Sequence, residues 1–364
     1  MSPGGPTLTC RGAILWEPGR PLVVAEALEV PPPGPGQVRV RVSHAGVCRS
    51  QLLEARGQRG RDPHLPHLLG HEGTGTVVDV GPGVTRVAPG DRVVLTWLRC
   101  RGADPPGACY RYRGTAIRSG RVTTWSDLTV VAESRCVPCP PGLPPEITPL
   151  FGCALLTGSG LVRNLLRPRP GQSLAVFGLG GVGLSALLAA RLAGCRPLIG
   201  VDPEPGKREL ARALGATHVL DPAAGPIAEQ IEAVTGSRGL DFAAEATGSA
   251  RGIEAAFRSV RPRGGVCAFA SHPPHGEHLE IDPFLLLEGR RLLGTWGGDG
   301  DAEREIPELA ELYTGAGLPL ERLVTAPYPL SAINEALADL EAGRIPRALL
   351  RLSGDPAPAR ADGA

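Results

Sequence analysis

VFGLGGVGLSALLAA, residues 176–190, is the stretch on which the fold turns. The run QSLAVFG leading into it reads as a buried strand, and VGLSALLAARLAG has the apolar spacing of a helix that stops at glycine. Between them Gly178, Gly180 and Gly183 spell G-x-G-x-x-G, with Gly181 and Val182 filling the turn. The first glycine permits a tight turn, the second lets the backbone approach a pyrophosphate, and the third lets helix and strand pack closely. The helix N-terminus adds free N–H groups and the positive end of its dipole. A glycine triplet among 50 glycines can be accidental, so the next strand matters. PLIGVD ends in Asp202, nineteen residues after Gly183, where an acid accepts hydrogen bonds from an adenosine ribose. A 2′-phosphate beside that carboxylate would meet like charge, so NAD is expected over NADP, with Lys207 and Arg208 close enough to soften the preference. The plainer alternative is a strand-end aspartate that caps its own turn.

Outward from this loop the pattern repeats. Strand-like PLIGVD, HVL, LDFAAEATG and GGVCAFA alternate with helix-like PGKRELARALG, PIAEQIEAVTG and SARGIEAAFRSV, which calls for a doubly wound parallel sheet. The chain before about residue 155 differs: short two-period apolar runs such as GQVRVRVSHAGV and DRVVLTW are split by PPPGPGQ and GPGVTRVAPGD, as in a β-rich barrel. From about Trp296 the chain is expected to return to this first unit and end in the strand RALLRL, followed by a disordered tail, SGDPAPARADGA. The fold class is therefore α/β: a β-barrel domain from residues 1–155 and 296–364, and a nucleotide-binding domain from residues 156–295. A length of 364 residues also favours two domains.

Composition narrows the partners. Net charge is +1, Lys207 is the only lysine, and no dense basic run exists, so nucleic acid is not an expected partner. The longest apolar stretch, residues 173–195, is broken by glycines and Arg191, and the N-terminus has no secretory pattern, so a cytoplasmic protein with no membrane contact is expected. Nine scattered cysteines argue for reduced thiols.

Cys48, in AGVCRSQL, is by itself more readily a packed thiol than a ligand. LLGHEGTG adds His71 and Glu72, and PLFGCALLTG adds Cys153, making a thiolate and imidazole set of the kind zinc accepts. The stretch G-H-E-x-x-G-x5-G-x-x-V, spelled by Gly70, His71, Glu72, Gly75, Gly81 and Val84, resembles the zinc signature of the medium-chain dehydrogenase/reductase family, the alcohol dehydrogenases. AGVCRSQ, GHEGTG, GDRVV, FGCALLTG, VFGLGGVGLS, GVD and RIPRALL follow in that family's order over nearly the whole chain.

The resemblance implies a GroES-like catalytic domain beside a Rossmann domain, with Cys48, His71 and Cys153 holding one catalytic zinc and Glu72 able to approach it. It implies that Arg49 and Arg347 contact the cofactor pyrophosphate and that Ser50 holds the alcohol hydroxyl. Thr157 and Val182 would pack at the nicotinamide or the glycine loop, and Trp97 would line the substrate pocket. The implied activity interconverts an alcohol and its aldehyde or ketone by hydride transfer to NAD, in a homo-oligomer, dimer or tetramer. A zinc-free, NADPH-dependent quinone or enone reductase of the same fold is the alternative, and a non-catalytic nucleotide-binding protein is the other.

Several positions depart from the family pattern. The segment LRCRGADPPGACYRYRG has only Cys100 and Cys109 where many relatives bind a second, structural zinc through four cysteines, so that zinc is expected to be absent. Gln51 replaces an acid that orients the ligand histidine, although its amide oxygen can accept the imidazole N–H. Leu53 replaces a proton-passing histidine. Cys136 and Cys139 are expected to be structural thiols, and His272, His275 and His278 to occupy a solvent-facing loop. The CYRYRG arginines are expected at the pocket mouth and DPFLLLEG to add apolar pocket surface.

Overall fold

The computed structural model describes residues 7–352 other than Ser237 and Ala326. Strand Leu174–Phe177, which carries the glycine loop, lies inside a six-stranded sheet. From edge to edge its strands are His218–Leu220, Leu198–Val201, Leu174–Phe177, Phe242–Glu245, Val266–Phe269 and Arg291–Gly294. All pairings are parallel, so every connection is a crossover, and helices such as Gly181–Leu192 and Pro205–Ala213 supply them. Helices on both faces explain why LAVF and LIGV show no polar alternation: each of these residues is buried. The strand order reverses between Leu174–Phe177 and Phe242–Glu245, which opens a crevice at their carboxyl ends.

The β-rich part forms a closed barrel from Leu8–Leu15, Val23–Val30, Cys109–Tyr112, Thr115–Arg118 and His67–Leu68, beside a seven-stranded sheet built around Gln37–Val47. Val38, Val40 and Val42 point into its core as their alternation requires. Arg39, on the opposite face, is also buried and pairs with Asp79 at 2.5 Å. The C-terminal strand Ala348–Arg351 does return to this sheet, pairing antiparallel with Gln37–Val47 so that Ala348 faces Val47. The tail 353–364 lies outside the described residues.

Two sequence expectations fail here. CYRYRG forms the hairpin Cys109–Tyr112 and Thr115–Arg118 of the barrel, where Arg113 stacks over Tyr112 at 5.2 Å, and neither Arg111 nor Arg113 lines a described cavity. DPFLLLEG forms the short helix Pro283–Leu287 beside the edge of the parallel sheet, with Phe284 and Leu287 turned to the outside rather than into the pocket. Cys136 sits in strand Cys136–Pro138 opposite Leu95, and burial pushes its thiol and that of Cys139 up, as suits unreactive structural thiols. No helix among the described residues is long and apolar enough to cross a membrane.

Candidate active site

Each metal-binding candidate stands where one element ends and another begins. Cys48 closes strand Gln37–Val47 and is the N-cap of helix Arg49–Ala55. His71 lies directly before strand Glu72–Val80. It follows Gly70, whose φ of +96° and close approach to the Thr124 backbone nitrogen, 2.6 Å from where a Cβ would be, exclude any side chain. Cys153 is the N-cap of helix Ala154–Gly160, which packs against the glycine-loop helix. One ligand atom from each of Cys48, His71 and Cys153 lies within 4.8 Å of the other two.

The donor set fits zinc. His71 Nε2 is buried with no hydrogen-bond partner, which would be costly unless a cation or another group meets it. The two thiols are coupled: the neighbouring Cys153, with Arg347 and His71, holds the Cys48 thiol well below its usual range, while the neighbouring Cys48 and burial push Cys153 up. A divalent cation would bind both sulfurs as thiolates, with release of any proton they carry.

Glu72 does not join this group. Its carboxylate, fully buried, accepts a hydrogen bond from the Arg347 guanidinium, and its other oxygen has no partner. Burial pushes the Glu72 carboxyl up against the pull of Arg347. Arg347 is thus spent largely on Glu72, although it still lines the nucleotide crevice. Gln51 also differs from expectation: its amide oxygen is buried without a partner and so accepts nothing from His71. Packing of helix Arg49–Ala55 fixes where that amide lies.

The crevice at the carboxyl ends of the parallel strands measures about 820 Å³. Gly178, Gly180, Gly181 and Val182 line one side, and Arg49 and Lys207 also face it. Asp202 sits at its edge and performs the bland task too, accepting the Leu179 N–H at 2.8 Å and the Glu204 N–H at 2.9 Å. A carboxylate has about four acceptor positions, so capping leaves room for a ribose. Arg208 is occupied, donating to the Asp202 carbonyl at 2.7 Å and pairing with Asp221 at 3.0 Å. Sequence reasoning missed Thr247, Ser249 and Arg251 in this wall, although the ATGS that follows strand Phe242–Glu245 is a strand-to-helix turn of the same kind.

The three ligand candidates form part of a smaller cavity of about 150 Å³. Ser50, Thr157, Val182 and Trp97 share it, and the Ser50 and Thr157 hydroxyls are buried with no partner. Trp97 packs 6.2 Å from the His71 ring and meets Trp296 edge-on at 5.2 Å. Three residues here were not anticipated: Arg59, Trp296 and His272. His272 is half-buried in the cavity wall rather than in solvent, because its loop folds back over residues 58–60; the His275 N–H donates to the Gln58 carbonyl at 2.8 Å. Glu54, Asp62 and His67 form a second close cluster, but His67 is satisfied within it, with Nε2 2.7 Å from Asp62 and Nδ1 2.9 Å from the Leu68 carbonyl.

A crevice at a glycine-loop parallel sheet, opening beside two sulfurs and one imidazole nitrogen that could hold a metal, is the arrangement of a zinc-dependent dehydrogenase. Comparison with known proteins bears this out. Residues 34–141 match the alcohol dehydrogenase GroES-like domain, and residues 181–314 match the zinc-binding dehydrogenase domain. Alcohol dehydrogenase 2 of Oryza sativa subsp. japonica is 32% identical over 97% of this chain and 100% of its own. Among solved structures, an alcohol dehydrogenase zinc-binding domain protein from Burkholderia ambifaria is 31% identical with a TM-score of 0.87, covering 95% of this chain and 100% of its own. Benzyl alcohol dehydrogenase from Acinetobacter calcoaceticus is 29% identical with a TM-score of 0.85 at the same coverage. The chain belongs to the zinc-containing alcohol dehydrogenases of the medium-chain dehydrogenase/reductase family.

Proposed function

We propose that the protein oxidises an alcohol to its aldehyde or ketone, and reduces the carbonyl in reverse, with one catalytic zinc held by Cys48, His71 and Cys153 and with NAD as hydride acceptor. The observation that carries this reading is the meeting of those three ligand atoms in a cavity whose wall also includes Val182 of the glycine loop. When bound, the metal supplies Lewis acidity toward the substrate oxygen and the nicotinamide takes the hydride. Ser50, buried and unpartnered, accepts the hydroxyl hydrogen and is the first station of its way out. Leu53 is buried and carries no group that takes a proton further, so the ribose hydroxyls of a bound cofactor and water would have to serve as the later stations. Thr157 and Val182 bound the space beside the glycine loop, and Trp97 closes the substrate side. The zinc-free reductase alternative leaves the three converged ligands without a purpose.

Three finer points belong to the same reading. NAD is favoured because Asp202 faces the crevice while Arg208, one of the two cations that could offset it, is occupied by Asp202 and Asp221. A structural zinc is not expected, since the segment between Cys100 and Cys109 offers two thiols, the first buried and the second exposed. Self-association is supported by the outer edge of the parallel sheet, where strand Arg291–Gly294 has no further strand neighbour among the described residues and Phe284 and Leu287 are exposed.

The test is elemental analysis of the purified protein together with an alcohol panel run with NAD and NADP. The expectation is one zinc per chain, NADH formation that chelation abolishes, and loss of both metal and turnover in Cys48→Ala. Turnover that survives exhaustive chelation would falsify the proposal.

A further inference from the structure

The inner cavity at the metal-binding candidates shares Arg59, His71 and Trp97 with an outer cavity of about 650 Å³. Among the described residues lining the inner one, Arg59 is the side chain with a permanent positive charge. It follows helix Arg49–Ala55, and its loop is fixed against the opposite domain by the bond from His275 to Gln58. Its side chain is 41% exposed, and the paired carboxylate, Glu54, stands 3.7 Å away, beyond hydrogen-bond range.

The outer cavity is lined by five arginines against two carboxylates, Glu54 and Asp62. Most of these charges are already engaged. Asp62 accepts from the His64 N–H and faces His67; Arg121 and Arg135 pair with Asp104; Arg118 donates to the Pro63 and Leu65 carbonyls. Arg59 is left with a loose partner, and Arg61 has no ion-pair partner among the described residues. Arg59 does not line the dinucleotide crevice, so a cofactor phosphate is not its ligand.

We infer that Arg59 determines specificity by binding a carboxylate at the end of the substrate remote from the reacting hydroxyl. The inference rests on the alcohol dehydrogenase reading above. The small inner cavity then takes the reacting end and the larger outer one the anionic end, where a planar guanidinium can grip a carboxylate with two parallel hydrogen bonds.

The experiment compares benzyl alcohol, 4-(hydroxymethyl)benzoate and 4-(aminomethyl)benzyl alcohol. The wild-type protein should show kcat/KM for the carboxylate at least about tenfold above the neutral alcohol, as expected of one charge-assisted contact, and lowest for the cation. Arg59→Leu should bring the carboxylate-to-neutral ratio near one, Arg59→Lys should keep part of it, and added salt should reduce it in the wild type. A wild-type ratio of one or less, or a ratio that Arg59→Leu leaves unchanged, overturns the inference. Because Trp97 and Trp296 line the cavity, tryptophan emission titrated with benzoate and with benzyl alcohol reads the same preference without turnover. Oxidation of benzyl alcohol with no charge preference sinks the Arg59 assignment alone. Charge-selective, Arg59-dependent binding without oxidation of any alcohol sinks the activity alone.

Discussion

Replacing the first and second glycines of the loop by alanine should have opposite consequences. Gly178 has φ +84°, and a Cβ there would lie 2.8 Å from the Ala246 carbonyl carbon and the Thr247 nitrogen, both backbone atoms that no rotamer change can move. The left-handed conformation costs an alanine about 1–2 kcal/mol, and relieving the clash adds about 1–3 kcal/mol of backbone shift. Gly178→Ala should therefore lose about 2–5 kcal/mol of folding stability before any cofactor is present. Gly180 has φ −80° and ψ −172°, and its Cβ would meet nothing nearer than the Pro346 carbonyl at 3.7 Å. There the lower entropy of the unfolded alanine chain offsets a poorer helix cap, so the free protein should stay within about 1 kcal/mol of wild type. Gly180 lines the crevice, however, and a methyl group in that wall obstructs the approach of a pyrophosphate. Urea unfolding of the cofactor-free protein and fluorescence titration with NADH separate the two effects. Gly180→Ala should unfold like wild type and bind NADH about tenfold or more weakly. Equal destabilisation by both variants, or unimpaired NADH binding by Gly180→Ala, would refute the division of labour between these residues.

Arg347→Met should destabilise the protein by about 3–5 kcal/mol, because Glu72 would be left buried with its charge unmatched. Adding Glu72→Gln should restore part of that loss in urea unfolding, and an additive double variant would contradict the pairing. Glu303 is held at about 2 against its ordinary 4.5 chiefly by hydrogen bonding to Arg86, with Arg101 helping. A carboxyl lowered in the folded state contributes stability that is complete above pH 4.5 and lost as pH falls toward 2. The pair is partly solvated, so Glu303→Gln should remove about 0.5–1 kcal/mol at neutral pH and flatten the acid limb of the stability profile. An unchanged acid limb in the variant would show that the bond adds nothing.

Legibility followed the range of the interactions. The glycine loop, Asp202 and the strand–helix alternation are local patterns, so residues 176–202 defined the parallel sheet without knowledge of their surroundings. The three ligand candidates are scattered through the chain, and only their resemblance to a family joined them before the fold did. Arg59, His272 and Trp296 stayed hidden because they meet across the joint between the two domains, where no periodicity in either segment announces the other. Gln51 and Arg347 were assigned by position, yet packing decided their partners: one finds none and the other finds Glu72. The CYRYRG arginines failed for a related reason, since the turn of the barrel hairpin holds Arg111 and Arg113 off the described cavities, and only Arg118 at the end of its second strand reaches one.

The return of strand Ala348–Arg351 to the seven-stranded sheet sets an order for biosynthesis. Once Gly294 has emerged from the ribosome, the parallel sheet possesses every strand it needs, whereas the older N-terminal sheet still waits for a strand from the far end of the message. Arg347, the counter-charge of Glu72, arrives with that last strand. A nascent or truncated chain ending before it would display a finished nucleotide fold beside a raw sheet edge, open to pairing with other chains, and the buried Glu72 beside the candidate ligand His71 would still lack its counter-charge.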